Sequence, residues 1–95
     1  MAQTKGGKSM AREVRFFFKA PEGTKSVKLC GNFTRWEKGS ITMKSAKSGE
    51  WMATVELTPG EYEYKFLADG NWYIDPSADR QVYNKFGSQN SIKRV

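Results

Sequence analysis

Apolar and polar residues alternate in short runs along most of the chain from Glu13 onward. The runs are rich in aromatic and β-branched residues, and turn residues separate them at intervals of roughly ten positions. Alternation is sharpest over residues 61–68, where Tyr62, Tyr64 and Phe66 fall on one face. No helical stripe is longer than two turns, so the pattern predicts an all-β protein.

Turn signals divide the alternating runs into seven short strands. Proline and glycine at Pro59-Gly60 and a hairpin signal at Asp69-Gly70 mark two of the turns, and residues 44–49 are predicted to form a polar turn. Seven short antiparallel strands at this spacing predict an immunoglobulin-like β-sandwich. The predicted strands cover residues 14–20, 26–30, 41–43, 51–57, 61–68, 71–74 and 91–95.

Chain length and the polar N-terminus set the domain organisation. The 95 residues, 10.8 kDa in mass, suffice for one small domain with its own core. Residues 1–11 combine Gly6-Gly7 with lysines and lack periodicity, so we expect a disordered tail before a module at 12–95. No apolar run is long enough to cross a membrane and no export signal is visible, so we expect a cytoplasmic location.

The inventory of reactive side chains argues against catalysis. The chain has no histidine and a single cysteine, Cys30, which we expect to be a small buried residue at a strand end. Asp69, Asp75 and Asp79 are close in sequence, but Asp69 opens an Asp-Gly turn and Asp75 precedes a proline, where aspartate caps its own backbone. The sequence therefore predicts no enzyme, no metal site and no cofactor.

Charge is spread unevenly along the chain, whose formal net charge is +6. Residues 1–48 hold eleven basic and three acidic residues, whereas residues 49–95 hold five basic and seven acidic ones. Many of the basic residues stand singly between apolar strand residues, as on a solvated sheet face. A basic surplus can also attract an acidic protein or a nucleic acid, and both alternatives stay open at this point.

The three tryptophans stand in different settings. Trp51 begins a strand and is expected in the core, whereas Trp36 lies in a polar loop and Trp72 lies just past a turn, where an indole ring favours ligand recognition. Acidic residues near Trp72 disfavour phosphate and therefore nucleic acid. Lys65 and Asn90 can supply hydrogen bonds to the hydroxyl groups of a neutral sugar, so the pattern favours carbohydrate.

Four motifs follow one another along the chain, at residues 31–36, 57–66, 69–76 and 86–92. In this order they resemble the glycogen-binding carbohydrate-binding module of family 48, found in the β subunit of AMP-activated protein kinase and beside branching and debranching enzymes. The resemblance covers about residues 12–95 and implies an early-set immunoglobulin-like fold. It implies stacking by Trp36 and Trp72 and hydrogen bonding by Lys65 and Asn90. Phe86 and Ser88 stand where the kinase module has a leucine and a threonine, and the resemblance implies that they also belong to the sugar-binding site.

The expected function is non-catalytic binding of α-1,4-linked glucan, as in glycogen or starch-like chains, with no membrane partner. An alternative is a protein-docking or regulatory module in an assembly with a glycogen-metabolising enzyme or a kinase, which charge reversal at Lys25 or Lys28 would disrupt. Binding of single-stranded nucleic acid is the third hypothesis and predicts steep salt dependence. The chain ends at Val95, so we do not expect a complete kinase β subunit.

Overall fold

The computed structural model describes residues 10–46 and 49–95. Most of the predicted tail, residues 1–9, therefore lies outside the described residues. The described part forms strands joined by turns and loops, with no α-helix. Its nine strands are β1 Arg12–Lys19, β2 Val27–Gly31, β3 Ile41–Thr42, β4 Lys44–Ser45, β5 Glu50–Leu57, β6 Glu61–Ala68, β7 Asn71–Tyr73, β8 Arg80–Tyr83 and β9 Gln89–Arg94.

Two antiparallel sheets contain these strands. The larger has six strands in the order β3-β2-β6-β9-β8, and β7 also pairs with β6. The smaller has three strands in the order β1-β5-β4. Strands β1 and β5 are in register along their whole length, from Arg12 opposite Leu57 to Lys19 opposite Glu50. The predicted all-β antiparallel sandwich is confirmed.

Aromatic rings from both sheets meet in the core. Phe16 and Phe18 of β1 face Tyr64 and Phe66 of β6, with ring centroids 4.9 Å apart for Phe16 and Tyr64 and 4.6 Å for Phe18 and Phe66. All four side chains are buried, as the alternation predicts, because every second residue of a strand points to the same face. Trp51 packs against this cluster, as expected.

A buried hydrogen-bond network fixes the segment after β7. The Tyr64 hydroxyl donates to Asp75 Oδ2 at 2.6 Å, and the Ser77 backbone N–H donates to Asp75 Oδ1 at 2.9 Å. Gln81 Nε2 donates to the Asp75 carbonyl, and the Asp75 N–H donates to Ser91 Oγ. The contact with Ser77 confirms that Asp75 caps its own turn, while Tyr64 ties that turn to the core.

Two short strands depart from the sequence prediction. Lys44–Ser45 forms β4, paired with β5, where a polar turn over residues 44–49 was predicted; residues 47–48 of that turn lie outside the described residues. Arg80–Tyr83 forms β8, paired with β9, where no strand was predicted. The two strands lie at sheet edges and are too short or too polar to show an alternating apolar face.

The hairpin at Asp69-Gly70 joins β6 to β7 as predicted. Asp69 and Gly70 have φ of 47° and 84°, the left-handed region that a tight two-residue hairpin requires. The Asp69 carboxylate accepts hydrogen bonds from the backbone N–H groups of Lys25 and Ser26, which lowers the pKa of that carboxyl. The prediction that Asp69 caps its own backbone is therefore wrong, because this carboxylate binds the segment before β2.

Candidate functional site

An open pocket lies on the outer face of the six-stranded sheet, the face turned away from the aromatic core. Its volume is about 430 Å³. Its walls come from five elements: the loop over residues 32–40, strands β6 and β7, the loop over residues 84–88, and β9. All six residues proposed from the sequence line this pocket. The lining residues are Trp36, Glu37, Glu63, Lys65, Trp72, Asn84, Lys85, Phe86, Ser88 and Asn90.

Close backbone packing positions Trp36. Arg35 and Trp36 have φ of 57° and 58°, and the Trp36 N–H donates to the Gly31 carbonyl at 2.8 Å. Thr34 Oγ1 accepts from the Gly31 N–H at 3.0 Å and lies 2.8 Å from the Trp36 carbonyl. A Cβ at Gly31 would lie 2.5 Å from the Glu63 carbonyl oxygen, so only glycine lets the loop approach β6 this closely.

Lys65 and Trp72 come from adjacent strands. Trp72 lies within β7, opposite Leu67 of β6, so its ring stands on the same outer face as Lys65. Lys65 Nζ lies 6.0 Å from the centroid of the Trp72 ring, within the range of a cation–π contact. The Trp72 side chain is 42% exposed, which leaves ring surface open to the pocket.

The loop between β8 and β9 carries Phe86 and Ser88. Its ends meet through the Asn84 N–H, which donates to the Ser88 carbonyl at 2.8 Å, and Gly87 adopts a φ of 83°. Asn84 Oδ1 accepts from the backbone N–H groups of Phe86 and Ser88. Phe86 is 82% exposed, and Lys85 Nζ lies 5.4 Å from its ring centroid. The loop thus holds its backbone tightly and leaves most of the phenyl ring exposed.

Asn90 forms part of the pocket floor. Its side chain is 5% exposed, and its Nδ2 donates to Glu63 Oε1 at 2.9 Å. Its Oδ1 accepts from Asn84 Nδ2 at 3.0 Å. These contacts fix the orientation of the Asn90 amide, because a carboxylate can only accept a hydrogen bond.

The charged side chains around the pocket balance. Glu37 and Glu63 oppose Lys65 and Lys85. The three aspartates that were expected to exclude phosphate do not line the pocket: Asp69 binds residues 25 and 26, Asp75 is buried, and Asp79 accepts from the Arg94 N–H. The acidic character near the tryptophans comes from two glutamates instead.

Sequence reasoning missed four of the lining residues, Glu37, Glu63, Asn84 and Lys85. Glu63 carried a usable signal, since it lies on the same face of β6 as Lys65, two positions away. Asn84 begins an Asn-x-x-Gly segment, a composition typical of turns, but its partners become visible only in the folded loop.

Cys30 lies under the same face, opposite Lys65 in the register of β2 and β6. Its side chain is buried, as expected, and burial together with the nearby Glu37 carboxylate raises the pKa of the thiol to about 11. In residues 10–46 and 49–95, no group of three or more histidine, cysteine or acidic side chains is placed to hold a metal ion. Within the same ranges, no helix combines the length and apolar character that a membrane span needs.

The site thus joins exposed aromatic rings to a polar floor of fixed donors and acceptors. A family profile described as the glycogen recognition site of AMP-activated protein kinase matches residues 14–95. The chain belongs to this family. The family is a carbohydrate-binding, non-catalytic domain, and the motifs that suggested the resemblance lie within the matched range.

Relatives within and beyond the kinase share this domain. The chain is 37% identical over 78 residues to the β-1 subunit of 5'-AMP-activated protein kinase from Sus scrofa, covering 82% of this chain and 61% of that protein. The corresponding Rattus norvegicus subunit is 36% identical over 78 residues, which are 82% of this chain and 27% of that subunit. Protein PTST homolog 2, chloroplastic, from Arabidopsis thaliana is 35% identical over 72 residues, 76% of this chain and 13% of that protein. The chain therefore spans less than two thirds of each relative.

Proposed function

We propose that this domain binds α-1,4-linked glucan chains, such as the outer chains of glycogen or starch, without catalysing a reaction. One observation carries the proposal: all six residues proposed from the sequence, which come from five structural elements, line a single open pocket. Membership of a glycogen-recognition family supports the same ligand class.

The chemistry of the pocket suits a neutral polyhydroxyl ligand. The axial C–H groups of a pyranose ring form an apolar face that can stack on an indole, and Trp36 and Trp72 each present one. The hydroxyl groups at the edge of the sugar ring can form hydrogen bonds with Lys65, Ser88 and Asn90. The balanced charge of the pocket fits a sugar without phosphate or carboxylate groups, because it supplies no net attraction for an anion.

Affinity for a short oligosaccharide should be weak. A few hydrogen bonds contribute about 0.5–1.5 kcal/mol each. Together with ring stacking, their favourable free energy exceeds the free-energy cost of association only slightly. We therefore expect a dissociation constant between roughly 1 μM and 1 mM. A glycogen particle carries many chain ends and would retain the domain better by raising the effective concentration.

Calorimetric titration with maltoheptaose tests the proposal. Wild type should bind saturably and with little dependence on salt, whereas Trp36→Ala and Trp72→Ala should each lose most of the affinity while remaining folded. Tyr83→Ala is the matched control, because Tyr83 is an aromatic residue 77% exposed and outside the pocket lining. A folded wild type that binds neither maltoheptaose nor glycogen would refute the proposal. A steep loss of binding with added salt would favour a polyanionic ligand instead.

The kinase subunits among the relatives favour a second proposal, docking to a kinase or a glycogen-metabolising enzyme. Lys25 and Lys28 are exposed on the basic N-terminal half of the chain, and neither lines the pocket. Charge reversal at both lysines should weaken capture of such a partner and leave maltoheptaose binding unchanged. Equal capture by the wild type and the reversed variant would exclude this basic surface as the docking site.

A further inference from the structure

Asn84 uses the full hydrogen-bonding capacity of its side-chain amide. Oδ1 accepts from the Phe86 N–H at 2.9 Å and from the Ser88 N–H at 3.2 Å. Nδ2 donates to Ser88 Oγ at 2.8 Å and to Asn90 Oδ1 at 3.0 Å. A primary amide has two acceptor sites and two N–H donors, so none remains for a ligand. Asn84 lines the pocket yet is saturated by the protein.

The orientation of this amide is fixed by its partners. Two backbone N–H groups can only donate, so Oδ1 must face them and Nδ2 must face Ser88 and Asn90. At the far end of the chain of bonds, the Glu63 carboxylate can only accept, so Asn90 must turn its Nδ2 toward Glu63. Both ends of the network therefore impose the same direction on every bond between them.

This direction determines what the pocket offers to a ligand. Ser88 Oγ already accepts from Asn84, which leaves its hydroxyl hydrogen to be donated. Asn90 donates one N–H to Glu63 Oε1 and retains the second. Among the described residues, Glu63 Oε2 has no hydrogen-bond partner, so it is available as an acceptor. The floor thus combines directed donors with one anionic acceptor, and a sugar hydroxyl can serve both.

We propose that Asn84 is a positioning residue that sets the hydrogen-bond polarity of the sugar site, and that Glu63 is a further sugar-binding residue that accepts from a ligand hydroxyl. This inference rests on the proposed glucan-binding function. The network selects neutral glucan, because a phosphate or carboxylate group placed against Glu63 would meet a like charge without a proton to share.

Asn84→Asp tests polarity while preserving shape. An aspartate is close in size to asparagine and can still accept from the N–H groups of Phe86 and Ser88, so the loop keeps its backbone bonds. A carboxylate cannot donate to Ser88 Oγ or to Asn90 Oδ1. We expect maltoheptaose to bind roughly tenfold more weakly at pH 7, the equivalent of about one misdirected hydrogen bond. Asn71→Asp is the control, because it makes the same change of charge at an exposed residue outside the pocket lining.

A pH series separates lost polarity from lost shape. Protonation of the carboxylate introduced by Asn84→Asp restores an O–H donor toward Asn90, so the difference in affinity from wild type should narrow as the pH falls from 7 to 4. The charged groups around this position are Glu37 from the 32–40 loop, Glu63 and Lys65 from β6, and Lys85 beside Asn84. Wild type contains the same four groups, so a change of the affinity ratio with pH reports the substitution, including its coupling to Glu63.

The outcomes distinguish this inference from the proposed function. A wild type that does not bind maltoheptaose refutes the function itself. If wild type binds and Asn84→Asp binds equally well, or if its deficit is the same at pH 7 and pH 4, the polarity role is refuted alone. Should the variant fail to fold, hydrogen exchange of side-chain amides in wild type decides. Slower exchange at Asn84 than at exposed Asn71 supports the network, and equal exchange refutes it.

Glu63→Gln tests the acceptor role separately. Glutamine can keep the bond to Asn90 through its own carbonyl oxygen, but it presents an N–H group in place of the free Oε2. A severalfold loss of maltoheptaose affinity with unchanged thermal stability is expected. Wild-type affinity in this variant would remove Glu63 from the set of ligand-binding residues.

Discussion

Removing one hydroxyl from the core should destabilise the domain measurably. Tyr64 is fully buried, and its hydroxyl donates to Asp75 Oδ2 at 2.6 Å. Burial and the neighbouring Asp75 carboxylate raise the pKa of this tyrosine well above its ordinary value, so the hydroxyl keeps its proton. Tyr64→Phe preserves the ring contacts with Phe16 and Phe66 but deletes the donor.

The magnitude follows from what the deletion leaves behind. Among the described residues, Tyr64 provides the only hydrogen bond to Asp75 Oδ2, and Asp75 is 6% exposed, so water cannot readily replace it. A hydrogen bond to a charged group contributes about 1.5–3 kcal/mol. For a domain of this size, a loss of about 2 kcal/mol lowers the melting temperature by roughly 8–16 °C. Such a loss is a large fraction of the 5–15 kcal/mol by which domains are typically stable.

Urea denaturation followed by tryptophan fluorescence measures this loss, with Tyr83→Phe as the control. Tyr83 is 77% exposed, so its hydroxyl should matter by no more than about 0.5 kcal/mol. Because the folded-state pKa of Tyr64 is raised, its contribution is complete below pH 10 and declines above it as the unfolded tyrosine ionises. The gap between wild type and Tyr64→Phe should therefore narrow above pH 10. Equal stability of wild type and Tyr64→Phe at pH 7 would refute the assigned role of the Tyr64–Asp75 hydrogen bond.

Two further predictions concern the foundations of the pocket. Gly31→Ala places a Cβ 2.5 Å from the Glu63 carbonyl oxygen and 2.6 Å from the Phe33 ring. The substitution should lower the free energy of unfolding by about 1–3 kcal/mol and weaken maltoheptaose binding by displacing Trp36. Unchanged denaturation and calorimetric curves would contradict this prediction. Cys30 has its pKa raised from 9.0 to about 11, so wild type should lose stability between pH 9 and pH 11 by an amount of the order of 2–3 kcal/mol relative to Cys30→Ala. Parallel stability curves for these two proteins across that interval would show that the thiol does not titrate as the structure indicates.

Strand alternation was sufficient to predict most of the fold. Residues 61–68 were predicted as a strand and form β6 with the same bounds, and the expected inward residues Tyr64 and Phe66 are buried. The Asp69-Gly70 hairpin also forms where predicted. These features depend on contacts close in sequence and on the two-residue period of a strand, both of which the sequence displays directly.

Features that leave no signature in the local sequence escaped prediction. Strand β4 consists of Lys44 and Ser45, which have no apolar alternation and form a strand only because β5 lies beside them. Asp69 reaches the backbone of residues 25 and 26, more than forty positions earlier in the chain. Neither pairing has a local signature, because the sequence around each residue is equally compatible with a solvated turn.

The candidate site shows the same division. The residue types at Trp36, Trp72, Lys65 and Asn90 suggested a binding role, and the resemblance added Phe86 and Ser88. Their geometry needed the structure, since the left-handed backbone at Arg35 and Trp36 is stabilised by the fit of the loop against Gly31. A non-glycine residue with positive φ is uncommon, and nothing in an Arg-Trp pair predicts one.

The aromatic groups of the pocket differ in how much of each is already packed against the protein, and that difference bears on their roles. Trp36 is half-buried and Trp72 is 42% exposed, so part of each side chain is packed before a ligand arrives. Phe86 is 82% exposed on a loop whose backbone, not its ring, is held by Asn84. Binding to preorganised groups costs little conformational entropy, whereas ordering a mobile side chain costs about 0.5–1.5 kcal/mol. Trp36 and Trp72 should therefore supply most of the affinity, with Phe86 adding contact area at the edge of the site.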